Sequence, residues 1–152
     1  MHTLEDCDVT ILNPEQHNVQ GFVCNRKEIT DFLQEDALLY RQELLCITHV
    51  FVLKSDPTAI AAYYTASNDA LHVSHLPRSR RDKIKKKVPF QKRFLDTHPA
   101  IKIGRLGVDH TKLQKGAGTQ IIDLIKGELL TEAKSACRYI VVDDINEPTI
   151  IE

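Results

Sequence analysis

Val9 and Ile11 alternate with polar neighbours in the segment CDVTIL. A period of two marks a strand, and Asn13-Pro14 closes it. From Asn25 the period changes. Ile29, Phe32, Leu33, Ala37, Tyr40 and Leu44 recur at helical steps, which predicts an amphipathic helix to about Leu45. Asn25 with Glu28 three positions later has the form of a capping box. Residues 46–53 (CITHVFVL) and 59–65 (AIAAYYT) are rich in β-branched and aromatic side chains, with Ser55-Asp56-Pro57 between them. They read as an antiparallel hairpin.

Residues 67–99 form a long connection, with a short helix expected around 80–87. Pro77, Pro89 and Pro99 limit any helix there. Residues 101–108 (IKIGRLGV) read as a fourth strand, and a glycine-bearing loop over 109–118 follows. A helix is predicted from about Gly116 to Ala133, with Ile121, Ile122, Leu124, Ile125 and Leu129 on its apolar side. Residues 138–143 (RYIVVD) read as a fifth strand. Asn146 suits a helix cap and Pro148 a first turn, so 146–152 reads as the start of another helix. Strands alternating with helices argue for one α/β sheet.

Composition bounds the function. A chain of 152 residues supports one core. There is no Trp and there are only nine aromatic residues, so the core is mostly aliphatic. No apolar run is long enough to cross a bilayer, and the acidic start MHTLEDCDV lacks the form of a signal peptide. A cytoplasmic protein without a membrane partner is expected. Cys7, Cys24, Cys46 and Cys137 form no C-x-x-C pair, and the histidines form no H-x-x-x-H pair. Neither a disulfide framework nor a metal site is expected. Cys24, Cys46 and Cys137 read as small buried hydrophobes.

The net charge of −1 conceals an asymmetry. Between Arg78 and Arg93 lie nine basic residues and one acid, Asp82, while the rest of the chain has 11 basic and 20 acidic residues. Such a block is either a solvated surface or an attractor of polyanions.

The stretch IKIGRLGVDHTKLQKGAGT (101–119) carries the chemistry. A strand enters a loop with Gly116 and Gly118, and a helix begins there. First-turn N–H groups lack internal partners and carry the positive end of the helix dipole, which suits a diphosphate. Lys112 and Lys115 stand at the rim. No Gly-Lys-Ser/Thr follows, which excludes a P-loop. Ile121 occupies the third glycine position of a dinucleotide fingerprint. A tight turn and a phosphate cradle both remain open on these residues alone.

The pattern resembles the GNAT superfamily of N-acetyltransferases. There a strand like G-R-L-A-V-D enters a pyrophosphate loop Q/R-x-x-G-x-G/A. Residues 104–109 read GRLGVD and 113–118 read LQKGAG, with Leu113 at the Q/R position and Gln114 one residue late. Phe22-Val23-Cys24 followed by Ile29–Phe32 is similar to the opening of the toxin-like branch of that superfamily. Tyr63-Tyr64-Thr65-Ala66-Ser67 is similar to its Y-Y-T-L-S strand, and 138–143 followed by Asn146 to its fifth strand and N-x-x-A helix.

The resemblance implies an α/β (α+β) fold: one GNAT-like domain over 1–152 with a mixed, mostly antiparallel sheet flanked by helices. It implies acetyl-CoA as cofactor. The backbone of Leu106, Gly107 and Val108 would flank the pantetheine arm. Leu113, Gln114, Lys115, Gly116, Ala117, Gly118 and Thr119 would hold the pyrophosphate, and Asn146 would lie near the cofactor. The branch's last helix continues into Phe-Tyr, whose tyrosine protonates the departing thiolate. The sequence ends at Glu152, before that position, so the domain is expected to be C-terminally incomplete and its catalysis impaired. Tyr63, Tyr64, Asp144 and Glu147 are weaker proton-transfer candidates, read first as core or surface.

The toxin-like branch acetylates the amine of aminoacyl-tRNA and is neutralised by an antitoxin protein. The resemblance therefore implies an amine substrate, with tRNA foremost. Arg78, Arg80, Arg81, Lys85, Lys86 and Arg105 are the candidate contacts. A homodimer is a further expected assembly. Two rivals stand beside this reading: an acetyltransferase of a small or protein amine, and a non-enzymatic RNA-binding module using the basic block 78–93.

Overall fold

The computed structural model describes residues 1–87, 96–131, 137–143 and 148–151. Six strands form one sheet in sequential order: β1 (Cys7–Ile11), β2 (Ile47–Leu53), β3 (Asp56–His72), β4 (Thr97–Val108), β5 (Tyr139–Asp143) and β6 (Pro148–Ile151). All neighbours are antiparallel except β4 and β5. That parallel pair needs a crossover, and α4 (Ala117–Thr131) supplies it. The mixed, mostly antiparallel sheet flanked by helices is the expected fold class.

Each sheet face has its own core. On one face α4 packs Ala117, Ile121 and Ile125 against Phe51, Ala62, Tyr64, Ile103 and Val108. On the other, Ile29, Phe32, Leu33 and Ala37 cover Val50, Val52, Ile60 and Tyr63, with Phe22. Tyr63 is fully buried there and donates its hydroxyl to the Ile29 carbonyl at 2.5 Å.

The predicted helix over 25–45 is present but interrupted. It runs as α1 (Lys27–Asp31), a π-helical turn over Phe32–Asp36 and α2 (Ala37–Gln42). Its N-cap is Arg26, not Asn25, and Glu28 pairs with the Arg26 guanidinium instead of closing a capping box. Leu44, at φ 58, stops the chain in the left-handed region and leaves its side chain exposed. β3 and β4 are longer than their apolar runs. β3 continues to His72, and β4 begins at Thr97 rather than Ile101. Backbone pairing over this polar stretch, from Asn68↔Ile101 to His72↔Thr97, extends the ribbon. The basic segment forms α3 (Arg78–Lys87), a little longer than expected.

The helix expected over 146–152 is not formed over 148–151, which pair antiparallel with β5 as β6. The β-branched pair Ile150-Ile151 favours a strand, and Pro148 stands at the first strand position, where a missing N–H is tolerated. Of the cysteines, Cys7 is buried, while Cys24, Cys46 and Cys137 are half-buried. No helix among the described residues is long and apolar enough to cross a membrane.

Gly107 marks the closest approach of the helical layer to β4. A Cβ there would lie 2.5 Å from Ile29 Cγ2, 3.0 Å from Tyr63 Cε1 and 3.2 Å from Phe22 Cζ. Gly107→Ala is therefore expected to overpack this face and cost about 1–3 kcal/mol. Chemical denaturation of the two proteins checks this, and an unchanged midpoint would contradict the packing.

Candidate functional site

The site begins with an irregularity in β4. Ala66 stands opposite Ile103 and Tyr64 opposite Leu106, so Thr65 faces two residues, Gly104 and Arg105. This is a bulge on β4, which bends a strand and increases its twist. The Thr65 hydroxyl accepts the Arg105 N–H at 2.9 Å, satisfying the donor that the bulge displaces. On the far edge of β4, pairing with β5 spans Ala100–Ile103 and stops there. The described pairing with β5 ends where β4 bulges against β3.

The orientation of the remaining backbone follows. The Arg105 N–H points to β3, and the Asp109 N–H bonds Ala61 O at 2.9 Å. Successive strand amides alternate between edges. The N–H and C=O groups of Leu106 and Val108 therefore face the edge that β5 has left. The Leu106 side chain lies on the α4 face, with its Cδ2 3.9 Å from where a Gly118 Cβ would stand. Val108 is buried on the same face.

The loop after β4 is built around Asp109. Its buried carboxylate accepts from Val23 N (3.2 Å), Thr111 N (3.0 Å), Thr111 Oγ1 (2.6 Å) and Lys112 Nζ (2.8 Å). Burial alone would raise its pKa, but Lys112, Thr111 and Val23 together outweigh that and hold it below the ordinary value. Lys112 also donates to Gly21 O at 2.9 Å, so it clamps the loop to the segment before α1 and does not stand at the rim. Leu113 is in the core, and its N–H bonds Asp109 O. The chain's first residues brace the same loop: His2 N donates to Lys112 O, and Gln114 N donates to His2 O.

Of the seven loop residues picked out in the sequence, Leu113 and Gln114 thus have their amides engaged. Lys115 and Gly116 are exposed, and Gly116 holds φ 89 with open space where a side chain would be. The first α4 bond is from Gln120 N to Gly116 O. The amides of Ala117, Gly118 and Thr119 consequently precede the helix's internal bonding and have no acceptor among the described residues. Gly107 belongs to packing rather than to the open edge. Asn146, with Asp144 and Glu147, lies outside the described residues.

Arg105 leaves β4 on the face opposite Leu106. Its guanidinium lies 3.9 Å from the Phe32 ring centroid and 5.3 Å from that of Tyr40. The cations of α3 stand apart. α3 packs on the short 3-10 turn Val73–His75, and Arg78 and Arg80 are exposed, Arg81 half-buried. Lys85 and Lys86 share that helix. Burial acts on both tyrosines of β3. Tyr63 is raised by burial and spends its hydroxyl on Ile29. Burial, with a smaller push from Glu128, raises Tyr64 to about 12. A cavity of about 440 Å³ lined by Arg41, Cys46, His49, Ser67 and Ile101 opens elsewhere, seven residues back along β4 from Val108.

Among the described residues, a strand edge without a partner beyond Ile103 continues through a loop into a helix N-terminus with unspent amides. The chain has the GNAT fold. Solved structures of this fold superimpose over nearly the whole chain. AtaT complexed with acetyl-methionyl-tRNAfMet matches at TM-score 0.69 and 18% identity, covering 93% of this chain and 80% of that one. A variant of KacT matches at TM-score 0.71 and 17% identity, with the same coverage. AtaTR bound with AcCoA matches at TM-score 0.65 and 18% identity, covering 94% and 80%. At these identities the GNAT likeness is one of fold. No family model and no curated protein matches the sequence.

Sequence reasoning did not single out Asp109, although the spacing Asp109-x-Thr111-Lys112 supplies its local partners. Asp109→Asn is expected to cost about 3 kcal/mol at neutral pH, because it breaks a buried charge pair. The sign with pH follows from the lowered folded pKa. Stability due to this carboxylate is complete above the unfolded value near 4 and is lost as pH falls through the folded value. The gap between wild type and Asp109→Asn in urea melts should therefore narrow on acidification. A constant gap down to pH 2 would contradict it.

Proposed function

We propose that the chain is an acetyl-CoA-dependent N-acetyltransferase. The observation that carries this reading is the alignment of the open β4 edge at Leu106 and Val108 with the unsatisfied amides of Ala117–Thr119. An extended amide-containing arm needs the first, and a diphosphate needs the second. The residues present fit such a group. Gly116 admits close approach without a side chain, Gly118 adds little bulk, and Lys115 brings a cation to the mouth.

Acetyl-CoA supplies an activated thioester carbonyl. The chain's part is to hold and orient. Leu106 and Val108 offer main-chain donors and acceptors along the open edge, and a donor there stabilises charge developing on a carbonyl oxygen. The amides of Ala117, Gly118 and Thr119 meet negative charge. Transfer to an amine would need one group to take the amine's proton and another to give a proton to the sulfur. Tyr63 spends its hydroxyl on Ile29, and burial makes Tyr64 a weaker acid than a free phenol.

For the acceptor we propose an amine borne by a polyanion, with aminoacyl-tRNA foremost. Support comes from the basic helix α3 and from the fold neighbour AtaT, whose structure holds acetyl-methionyl-tRNAfMet. Another AtaT structure is bound to the C-terminus of the antitoxin AtaR. A protein antitoxin is proposed here on that analogy, and cytoplasmic action on the substrate.

Calorimetry tests the cofactor step. The wild type is expected to bind acetyl-CoA. Gly116→Val, which places a branched side chain at positive φ in the cradle, should weaken binding about 10-fold or more, equivalent to about 1.4 kcal/mol. No heat with the wild type, or equal affinity in the variant, would remove the basis of the reading. Labelled acetyl transfer to charged tRNA against spermidine then separates the polyanion acceptor from a small amine.

A further inference from the structure

Arg105 is unlike the other cations of the chain. It is half-buried, stacked on Phe32 and close to Tyr40, and its side chain makes no hydrogen bond to a described residue. No carboxylate among the described residues pairs with its guanidinium. Aromatic stacking covers a face of the guanidinium plane and leaves the N–H donors around its edge. Such a cation is partly desolvated, oriented and without an acceptor among the described residues. Partial desolvation strengthens any later charge–charge contact, and stacking reduces the rotamer entropy lost on binding.

Its position gives this meaning. The bulge fixes the Arg105 backbone through Thr65, and Arg105 directly precedes Leu106, the first residue of the bare edge. The side chain therefore rises beside that edge, on the face carrying α1 and α2, away from α4 and its free amides.

We propose that Arg105 is an anion-binding residue for the acceptor, taking a phosphate or carboxylate close to the amine that is acetylated. The inference rests on the transferase reading above and narrows it. Acceptors carrying a nearby anion are selected, and polycationic amines are disfavoured by like charge. Arg105 holds the acceptor's anion bidentately in the plane of its donors, while Phe32 and Tyr40 fix that plane. The exposed cations of α3 serve only long-range attraction.

The test observes the Arg105 Nε–Hε NMR signal in the CoA-saturated protein. The probes are cytidylyl-adenosine (a phosphodiester), acetate (a carboxylate) and ethanolamine (no anion). At least one anion is expected to move the signal saturably, and ethanolamine should not. The tighter anion identifies the source. Arg105→Gln should weaken the anion about 10-fold or more by equilibrium titration. Arg105→Lys, which keeps the charge without the planar fork, should fall between. Phe32→Leu should weaken the anion with Arg105 intact. An Arg105 signal unmoved by both anions, or equal affinity in Arg105→Gln of native thermal stability, overturns the proposal. Acetyl-CoA calorimetry on the same variants keeps the two readings apart. Binding of acetyl-CoA with a silent Arg105 sinks only the anion site. Loss of acetyl-CoA binding in the wild type sinks the transferase reading.

Discussion

A backbone edge inside a folded protein must give its N–H and C=O groups to something, and β4 stops giving them to β5 after Ile103. The rest of the molecule is arranged around that constraint. β3 holds the other edge of β4 across its full length, from Thr97 to Val108. The bulge against Thr65 bends the strand without losing that grip. An unpaired edge is ordinarily a liability for aggregation. Here it belongs to an interior strand, between β3 and β5 in the sheet order.

The second requirement is a loop that keeps its shape while its amides stay unspent. Asp109 meets it. One carboxylate takes hydrogen bonds from the loop itself and from Val23, while Lys112 ties the same group to Gly21. Leu113 anchors the loop in the core, and the backbone of His2 pairs on both sides of it. The rigid part is therefore 109–114 and the open part 115–119. Gly116 sits at the junction, in a conformation that a side chain would strain.

How much of this could be read in the sequence depended on the range of the interaction. Strand periodicity in 46–65, the apolar face of α4 and the glycines at 116 and 118 are local, and each was legible. The resemblance of GRLGVD and LQKGAG pointed to the fold because those residues also fix its geometry. Lys112 looked like a rim cation because Gly21, which shares its ammonium with Asp109, is distant in the chain. Asn25 looked like a cap, but the Arg26–Glu28 pair replaced the capping box. The polar ends of β3 and β4 were hidden because backbone pairing, not side-chain pattern, extends them. Pro148-Thr149-Ile150-Ile151 combines a helix-start proline with a strand-forming pair, and pairing to β5 decided between them. Arg105 read as a pointing direction in sequence. Only the folded chain sets Phe32 and Tyr40, distant in the chain, beneath its guanidinium.

Residue-resolved amide hydrogen exchange, with and without coenzyme A, probes the bare edge itself. If the edge and the loop receive the ligand, the N–H groups of Leu106, Val108, Ala117, Gly118 and Thr119 exchange readily in the free protein and slow together when the ligand is added. The N–H of Asp109, already bonded to Ala61, changes little. Slow exchange at Leu106 and Val108 in the free protein, or no change at any of the five on saturation, would contradict the account.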